Sequence, residues 1–362
     1  MNVFYNKTVL ITGHTGFKGS WLCAWLHMLG ANIIGYSDKV PTNPSNFLLS
    51  GINGFITDIR GDIRDLDKLK ILIDDIKPDF VFHLAAQSLV KNAYENPLNT
   101  ISVNCVGSTA VLESFRLASS KAVLVMITSD KVYDNVEWEW GYRENDQIGG
   151  KDPYSSSKGM AELAIKTYTE SFFKSADSHI KVGVARAGNV IGGGDWADAR
   201  IIPDCIRAIV ANEPIQIRNP QSTRPWQHVL EPLSGYLRLA NMLYKSKGLN
   251  GESFNFGPAA DQNCSVGKLI QDMGLQLDGL TYEIVGNDIN DKPEAGLLKL
   301  NCDKALIKLN WKPSLNYQQT VELTADWYRN FIKSDQKECS MHDLTFKQIS
   351  DYGKFFDLAL LE

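Results

Sequence analysis

The stretch TVLITGHTGFKG, residues 8–19, decides the fold. It begins with a short apolar run that is typical of a buried strand, and SWLCAWLHMLG, with apolar residues at helical spacing, follows it. Between them, Gly13, Gly16 and Gly19 are spaced three apart. A dinucleotide pyrophosphate binds where the backbone approaches closely at a helix N-terminus, and side chains at these positions would obstruct it. Because the triplet lies between a predicted strand and a predicted helix, it predicts dinucleotide binding rather than an ordinary glycine-rich turn.

Short apolar runs and amphipathic stretches alternate along the amino-terminal half of the chain. This order predicts an α/β protein with a Rossmann-type, doubly wound parallel sheet. We assign residues 1–180 to the dinucleotide-binding domain, with some later segments returning to it, and residues 181–362 mainly to a smaller C-terminal α/β substrate-binding lobe. The predicted strands after TVLIT are NIIGY (32–36), GFITD (54–58), FVFHLA (80–85) and AVLVMIT (122–128), and then KVGVAR (181–186), PIQIR (214–218) and ESFNFG (252–257).

Composition and charge favour a small-molecule partner. With 362 residues and 44% hydrophobic content, the chain can form one large core, or one core with a smaller lobe attached. A net charge of -5 without a run of Lys and Arg argues against nucleic acid or an anionic membrane surface. We expect a cytoplasmic protein, since neither a signal-peptide core nor a membrane-length apolar stretch is evident. The scattered cysteines predict free thiols and no metal site: Cys23, Cys105, Cys205, Cys264, Cys302 and Cys339.

Two further motifs carry chemistry. TSDKVY (128–133) puts Asp130 and Lys131 just after a predicted parallel strand, where its carboxyl end opens onto a ligand crevice. YSSSK places Tyr154 and Lys158 on one face of a helix, where the ammonium can lower the phenol's pKa and hold a cofactor ribose. An unperturbed tyrosine titrates near 10, about three units too high for a base at neutral pH, so the lysine must supply several kcal/mol. Taken alone, Tyr-x-x-x-Lys is more often a surface helix pair.

The motifs together resemble those of the extended short-chain dehydrogenase/reductases. GHTGFKG, HLAAQ (83–87), VNCVG around Asn104, TSDKVY and YSSSK occur in that family's order, and the resemblance covers nearly the whole chain. It implies a nicotinamide cofactor and, most often, a nucleotide-sugar substrate. It also implies a redox triad of Ser129, Tyr154 and Lys158, in which Ser129 bonds the reacting hydroxyl and Asn104 supports the lysine.

The resemblance implies NAD as cofactor, but the residues leave NADP open. An acid at the end of the second strand would bind the ribose 2'-hydroxyl and repel a 2'-phosphate, and NIIGYSDK places Ser37 there, followed by Asp38 and Lys39. Asp62 is either an adenine contact or a helix N-cap. The expected cofactor-binding residues are Gly13, Gly16, Phe17, Lys18, Gly19, Ser37, Asp62, Ile63, Leu84, Ala85, Ala86, Tyr154 and Lys158.

Within the family, TSDKVY resembles the sugar 4,6-dehydratases, which have Thr-Asp-Glu where this chain has Ser129-Asp130-Lys131. The resemblance implies that the aspartate protonates the departing 6-hydroxyl and that its neighbour acts at C5, giving a 4-keto-6-deoxy sugar for surface-polysaccharide (O-antigen, lipopolysaccharide) synthesis. Lys131 is either the C5 base or an electrostatic stabiliser, because a lysine of ordinary pKa, about 10.4, stays protonated at neutral pH. Longer stretches narrow the resemblance to dehydratases with lysine at this position: TSDKVYDN, GYRENDQIGGKDPYSSSKG, GNVIGGGDWA and IRNPQSTRPWQHVLEPLSGYL.

The second lobe is expected to hold the nucleotide diphosphate. The guanidinium fork of Arg224 suits phosphate oxygens, whereas Trp226, next to a proline, is more often a core residue. The expected substrate-binding residues are Gln87, Asn189, Arg200, Arg218, Arg224 and His228.

Other functions stay open at this stage. They are another nucleotide-sugar dehydratase, a 4-epimerase, or a non-catalytic dinucleotide-binding regulator, although an intact triad argues against the regulator. The family also implies a homodimer, or a dimer of dimers, joined through a bundle that includes the helix beginning at Tyr154. The candidate face carries Met160, Leu163, Ala164 and Tyr168.

Overall fold

The computed structural model describes residues 2–118, 120–175, 177–246, 248–285, 296–333 and 340–354. Its strands are β1 Thr8–Thr12, β2 Asn32–Ser37, β3 Thr57–Arg60, β4 Phe80–His83, β5 Ala122–Ile127, β6 Ile180–Ala187, β7 Val190–Ile191, β8 Ile215–Ile217, β9 Thr223–Arg224, β10 Gln227–His228, β11 Ser253–Phe256, β12 Cys264–Ser265 and β13 Tyr282–Ile284.

The α-helices follow the same order along the chain. They are α1 Phe17–Met28, α2 Asn46–Leu49, α3 Leu66–Ile76, α4 Val90–Glu95, α5 Pro97–Ile101, α6 Gly107–Leu117, α7 Pro153–Tyr168, α8 Ile201–Ala211, α9 Leu230–Lys245, α10 Val266–Gln276, α11 Asp303–Leu309, α12 Tyr317–Lys333 and α13 Met341–Tyr352. Short 3-10 turns lie at Ile52–Gly54 and Asp130–Val132, and wider π-helical turns lie at Ser102–Val106 and Thr169–Phe173.

In the described residues, seven parallel strands form the central sheet in the order β11-β6-β5-β4-β1-β2-β3. Successive side chains of a strand point to opposite faces. Accordingly Val9 and Ile11 pack with α1 and α9, whereas Leu10 packs with α3 and α6. Both faces are therefore covered by helices, which confirms the predicted doubly wound sheet.

Strand pairing shows which later segments return to the central sheet. KVGVAR forms β6 beside β5, and ESFNFG forms β11 beside β6 at the sheet edge. PIQIR contributes β8, which pairs with β13 in a small separate ladder. Within the described ranges, β7 pairs with β10 and β9 with β12 in ladders of the same kind. The division at residue 180 therefore stays a prediction, with β6 and β11 as returning segments.

One predicted strand begins later than expected. GFITD was assigned to 54–58, but β3 runs from Thr57 to Arg60. Gly54 ends a 3-10 turn, and Phe55 packs on His27 at a ring distance of 4.2 Å. Gly54 and Phe55 therefore belong to the turn and its packing rather than to the strand.

No helix in the described ranges is long and apolar enough to cross a membrane. Cys23, Cys105, Cys205, Cys264 and Cys302 are free thiols, and Cys339 lies outside the described residues.

Candidate active site

The glycine loop after β1 is shaped by close backbone contacts. Gly13 has a φ of 75°, and a Cβ there would come within 2.6 Å of the Ala85 backbone nitrogen. A Cβ on Gly19 would come within 2.2 Å of the Gly13 carbonyl oxygen. Gly16 begins α1 without a side-chain cap, so the first N–H groups of this helix face the loop. This arrangement fits a dinucleotide pyrophosphate.

A histidine that the sequence analysis missed anchors the glycine loop. The buried ring of His14 bonds Ser37 Oγ through Nδ1 and Asp58 Oδ1 through Nε2, each at 2.9 Å. Burial lowers the pKa of His14, although Asp58 opposes the shift. Ser37, an expected cofactor residue, is therefore tied to the loop, while Asp38 beside it is exposed.

The remaining expected cofactor positions differ in exposure. The half-exposed Asp62 side chain pairs with Arg64, and Asp65 is the N-cap of α3, so the N-cap alternative for Asp62 was wrong. Ile63 is buried, and a Cβ on Gly107 would meet its side chain at 2.5 Å. Leu84, Ala85 and Ala86 follow β4 next to the glycine loop, and Phe17 and Lys18 open α1.

The end of β5 carries three adjacent polar residues. Ser129 Oγ donates to Asp130 Oδ1 at 2.9 Å and accepts from the Lys131 backbone N–H at 3.2 Å. Asp130 is 3% exposed, and its Oδ2 accepts no hydrogen bond from any described residue. Burial raises the pKa of Asp130, although Lys131 and Ser129 oppose the shift. Burial therefore shifts Asp130 toward its protonated form, which is the form that an acid catalyst needs.

Helix α7 places Tyr154 and Lys158 opposite this strand end. Asp152 caps the helix by accepting from the Tyr154 and Ser155 backbone N–H groups at 2.9 and 3.0 Å, and Pro153 takes the first helical position. Tyr154 and Lys158 are both buried, and Lys131 Nζ lies 5.9 Å from the centre of the Tyr154 ring. The structure therefore brings Ser129, Asp130, Lys131, Tyr154 and Lys158 together.

The pKa of Tyr154 differs from the expectation. Burial raises it to about 12, although the Ser129 hydroxyl and the Arg200 guanidinium act to lower it. Burial also lowers the pKa of Lys158 to about 8, opposed by Glu162. In the protein alone the helical spacing of tyrosine and lysine thus does not produce a lowered phenol pKa, because desolvation outweighs the nearby charges.

Lys18 and Arg200 extend the charged cluster. Arg200, just before α8, donates to Asp195 Oδ2 at 2.9 Å and to Ser88 Oγ at 3.3 Å. Burial lowers the pKa of Lys18 to about 8, with Arg200 acting in the same direction and Asp130 opposing it. Arg200 was expected to bind the substrate, which stays a prediction, and its positive charge acts on the Tyr154 phenol.

Asn104 and Gln87 hold one another. Asn104 accepts from the Gln87 backbone N–H at 2.8 Å and donates to the Gln87 carbonyl at 3.0 Å and to Ser157 Oγ at 2.8 Å. Asn104 therefore contacts α7 one residue before Lys158, and its support of the lysine stays a prediction. The amide of Gln87 bonds Leu89 and Thr100, and its role as a substrate ligand also stays a prediction.

The expected residues of the second lobe fall into two groups. Asn189 follows Gly188, whose Cβ position lies 2.8 Å from Asp130 Oδ2, so Asn189 borders the charged cluster. Arg224 lies on β9, half-buried, and donates to the Thr223 carbonyl at 2.8 Å; Arg218 is exposed after β8. Both arginines are remote in sequence from the redox residues, and their phosphate role stays a prediction.

His228 was expected to contact the substrate, and this role stays a prediction. Its ring is fully buried and packs edge-on against Trp21 at 6.0 Å, and burial lowers its pKa to about 3. Trp226 is buried as well. His228 therefore packs β10 against α1.

A buried polar network beneath the site was also missed. Thr128 Oγ1 donates to Glu162 Oε1 at 2.6 Å, and Arg186 binds both carboxylate oxygens of Glu162. These residues are distant in sequence, so no local pattern could have revealed the network. Among the described residues, no three His, Cys, Asp or Glu side chains are placed to hold a metal ion.

The parallel sheet, the glycine loop and the cluster of Ser129, Tyr154 and Lys158 define an extended short-chain dehydrogenase/reductase. The chain belongs to the GDP-mannose 4,6 dehydratase family, whose model matches residues 10–324.

Individual relatives agree with this assignment. The chain is 45% identical over 355 residues to a CDP-glucose 4,6-dehydratase of Salmonella typhimurium, covering 97% of each chain. It is 25% identical to a dTDP-glucose 4,6-dehydratase of Haemophilus influenzae over 88% of this chain and 97% of the relative. A solved UDP-glucose 4-epimerase of Stenotrophomonas maltophila, with bound NAD, shares the fold with a TM-score of 0.78 at 21% identity, covering 91% of this chain and 100% of that one.

Proposed function

We propose that the protein is an NAD-dependent CDP-glucose 4,6-dehydratase, a hydro-lyase that converts CDP-glucose to CDP-4-keto-6-deoxyglucose and water. The observation that carries the proposal is the position of Asp130 and Lys131 at the end of β5, beside the redox residues. A 4-epimerase oxidises and reduces at one carbon and needs no further acid or cation there. The choice of cytosine over thymine is supported by identities of 45% and 25% to the two kinds of dehydratase.

The glycine loop and the residues after β4 are the proposed NAD site. Gly13 and Gly19 leave no space for a Cβ, and the uncapped start of α1 provides donors for a pyrophosphate. NAD supplies the hydride acceptor at C4 of the sugar and the hydride donor at C6, and ends unchanged. Lys158 holds the nicotinamide ribose, and Asp62 and Ile63 border the adenine.

Tyr154 takes the proton of the 4-hydroxyl. The phenol's pKa of about 12 must fall for this step, and Ser129 and Arg200 already act in that direction. With a pKa of about 8, the Lys158 side chain is mostly charged at neutral pH, and it stabilises the phenolate from one helical turn away. Ser129 donates its hydroxyl proton to the oxygen at C4 and so holds the sugar beside Tyr154.

Asp130 and Lys131 carry out the elimination. The C4 ketone acidifies the C5 hydrogen, and a water molecule acting as base takes that proton, which leaves an enolate. The Lys131 ammonium stabilises the enolate. Because burial favours its protonated form, Asp130 donates a proton to the departing 6-hydroxyl, which leaves as water.

The proposed nucleotide diphosphate site comprises Asn189, Arg200, Arg218 and Arg224. Guanidinium groups suit phosphate oxygens because they form two parallel hydrogen bonds. Arg200 reaches the redox cluster, so it would contact the phosphate nearest the sugar.

A homodimer, alone or paired into a tetramer, is the proposed assembly. Leu163 is 56% exposed and Met160 41% exposed on α7, and Leu98 and Val106 are exposed on the adjoining α5 region. Such an apolar face is typical of an interface. Tyr168 instead packs with Phe172 and Phe173, and Ala164 is half-buried. The cytoplasmic location stays a prediction.

The test is incubation of the purified protein with CDP-glucose and, separately, dTDP-glucose, with and without added NAD. The 4-keto-6-deoxy product is followed by its alkaline ultraviolet absorbance. Product from CDP-glucose alone is expected, and dependence on added NAD would show how loosely the cofactor is held. Product from dTDP-glucose alone would contradict the nucleotide assignment, and bound NAD without any turnover would favour the regulator.

A further inference from the structure

A single buried carboxylate joins the elements that carry the catalytic groups. Glu162 lies on α7, one turn after Lys158 and two turns after Tyr154. One of its oxygens accepts from Thr128 Oγ1 at 2.6 Å and from Arg186 Nε at 2.7 Å, and the other accepts from the second guanidinium nitrogen of Arg186. All these contacts are inside the protein, since the side chains of Glu162 and Arg186 are 3% and 2% exposed.

The two partners of Glu162 come from the neighbouring strands β5 and β6. Thr128 immediately precedes Ser129 at the end of β5, and its backbone N–H donates to the Ala185 carbonyl of β6 at 3.0 Å. Arg186 follows Ala185 on β6. The Glu162 carboxylate therefore fixes the distance between the strand end bearing Ser129 and the helix bearing Tyr154.

Arg186 is itself held on its other side. It donates to the Tyr133 hydroxyl at 2.7 Å, and the guanidinium carbon lies 4.9 Å from the centre of the Tyr133 ring. Tyr133 follows the 3-10 turn of Asp130–Val132 and donates to Asn255 Oδ1 at 2.7 Å. The Asp130-Lys131 turn is thus attached to the same ion pair from both of its ends, through Thr128 and through Tyr133.

We propose that Glu162 is a positioning residue of the active site, with Arg186 as its counter-ion, and that it sets the spacing between Ser129 to Lys131 and Tyr154 to Lys158. The inference rests on the proposed dehydratase function for its catalytic consequence. A buried ion pair of this kind contributes little net stability compared with well-packed apolar residues, but it fixes geometry because each partner must stay opposite the other.

The decisive variant is Thr128→Val, which removes one arm of the network and leaves the buried Glu162–Arg186 pair intact. Thr324→Val is the matched control, because Thr324 is also buried and its hydroxyl donates within α12, to the Thr320 carbonyl at 2.7 Å. Thr128→Ser keeps the donor and should recover most of the lost activity. Turnover of CDP-glucose, melting temperature and hydrogen–deuterium exchange are measured for each.

For Thr128→Val, kcat should fall about 10- to 100-fold at a nearly unchanged KM, since small misplacements of reacting groups are costly. Amides of residues 128–133 should exchange about 10-fold faster, while those in the middle of β5 keep their rate. Thr324→Val should show neither effect. Unchanged exchange at 128–133 in Thr128→Val would overturn the proposal, whatever the activity.

The exchange readout also separates this proposal from the proposed function. If the wild-type protein does not turn over CDP-glucose but the exchange of 128–133 rises as expected, the dehydratase assignment fails and the positioning role stands. If wild type turns over CDP-glucose and Thr128→Val equals it in both kcat and exchange, the positioning role fails alone.

Glu162→Gln gives a second, electrostatic readout. Glu162 raises the pKa of Lys158, so neutralising it should move the alkaline limb of the kcat profile to lower pH, by roughly one unit, as the Lys158 ammonium is lost earlier. A loss of activity with an unmoved alkaline limb would indicate a purely structural effect of Glu162.

Discussion

The glycine loop of residues 13–19 and the charged cluster around Asp130 face one crevice but are built in different ways. The loop consists of backbone, and its shape follows from positions at which a Cβ does not fit. The cluster consists of ionisable side chains whose pKa values are shifted chiefly by burial. Substitutions in the loop should therefore impair function by steric obstruction. Substitutions in the cluster should impair it by removing a proton or a charge.

The largest effect is expected at Tyr154. Tyr154→Phe removes the proton acceptor and should lower kcat on CDP-glucose about 1000-fold, with KM changed only a few-fold. Tyr168→Phe, at the far end of the same helix, is the control and should keep wild-type activity. A Tyr154→Phe enzyme with more than a tenth of the wild-type kcat would refute the role of Tyr154 as base.

Lys131 tests whether the cluster acts through charge or through proton transfer. Lys131→Met should slow dehydration about 100-fold or more, leave C4 oxidation visible as transient NADH, and abolish exchange of the C5 hydrogen with solvent. Exchange at the wild-type rate in this variant would exclude both roles considered for Lys131.

Lys131→Arg separates the two roles. Arginine keeps the positive charge but does not give up its proton at ordinary pH. C5 exchange should therefore persist in Lys131→Arg if the residue is an electrostatic stabiliser, which we expect, and should vanish if it is the base.

The loop is tested by Gly13→Ala. The added Cβ would meet the Ala85 nitrogen at 2.6 Å in a backbone conformation that L-residues rarely adopt, so NAD should bind about 50-fold more weakly. Gly54→Ala is the control, because a Cβ there has no neighbour within 4 Å. Titration calorimetry with NAD measures both, and equal affinities would show that the loop does not shape the cofactor site.

The smallest effect is expected at Gly188, a glycine that packs against the charged cluster. A Cβ at position 188 would lie 2.8 Å from Asp130 Oδ2. Gly188→Ala should push the carboxyl out of its buried position, so its raised pKa should fall toward the ordinary value. Since the acid must be protonated to act, dehydration near neutral pH should then fall about 5-fold, while C4 oxidation, seen as transient NADH, keeps its rate. A dehydration rate equal to wild type in Gly188→Ala would argue against Asp130 as the acid.

The two regions also differed in how far the sequence could predict them. The glycine loop, the first β-strands and the Tyr-x-x-x-Lys spacing are local patterns, and the structure contains them as expected. The Asp-Pro before Tyr154 is a further local signal, since Asp152 caps α7 and Pro153 begins it. Local patterns therefore predicted these strands and helices and the residue at which the catalytic helix α7 begins.

What the sequence could not decide depends on contacts made in the folded chain. Whether ESFNFG joins the central sheet is decided by its pairing with β6, and the fate of His228 is decided by Trp21, far away in the chain. The pKa of Tyr154 depends on burial, which no spacing of two residues reveals. The hydrogen bonds of the Gln87 side chain, to Thr100 and Leu89, likewise depend on the folded loop around it.

The π-helical turn at Ser102–Val106, which carries Asn104, has a consequence for the helical phase of this segment. A π turn accommodates one residue more than an α-helical turn, and each residue advances an α-helix by about 100°. Deleting one residue between 102 and 106 would let α5 and α6 join as one regular helix, but it would rotate Asn104 away from Gln87 or carry Leu98 off the exposed face. The extra residue thus allows one length of helix to bury the Asn104 amide on one side and to keep the apolar Leu98 on the outer surface. A regular helix could not do both.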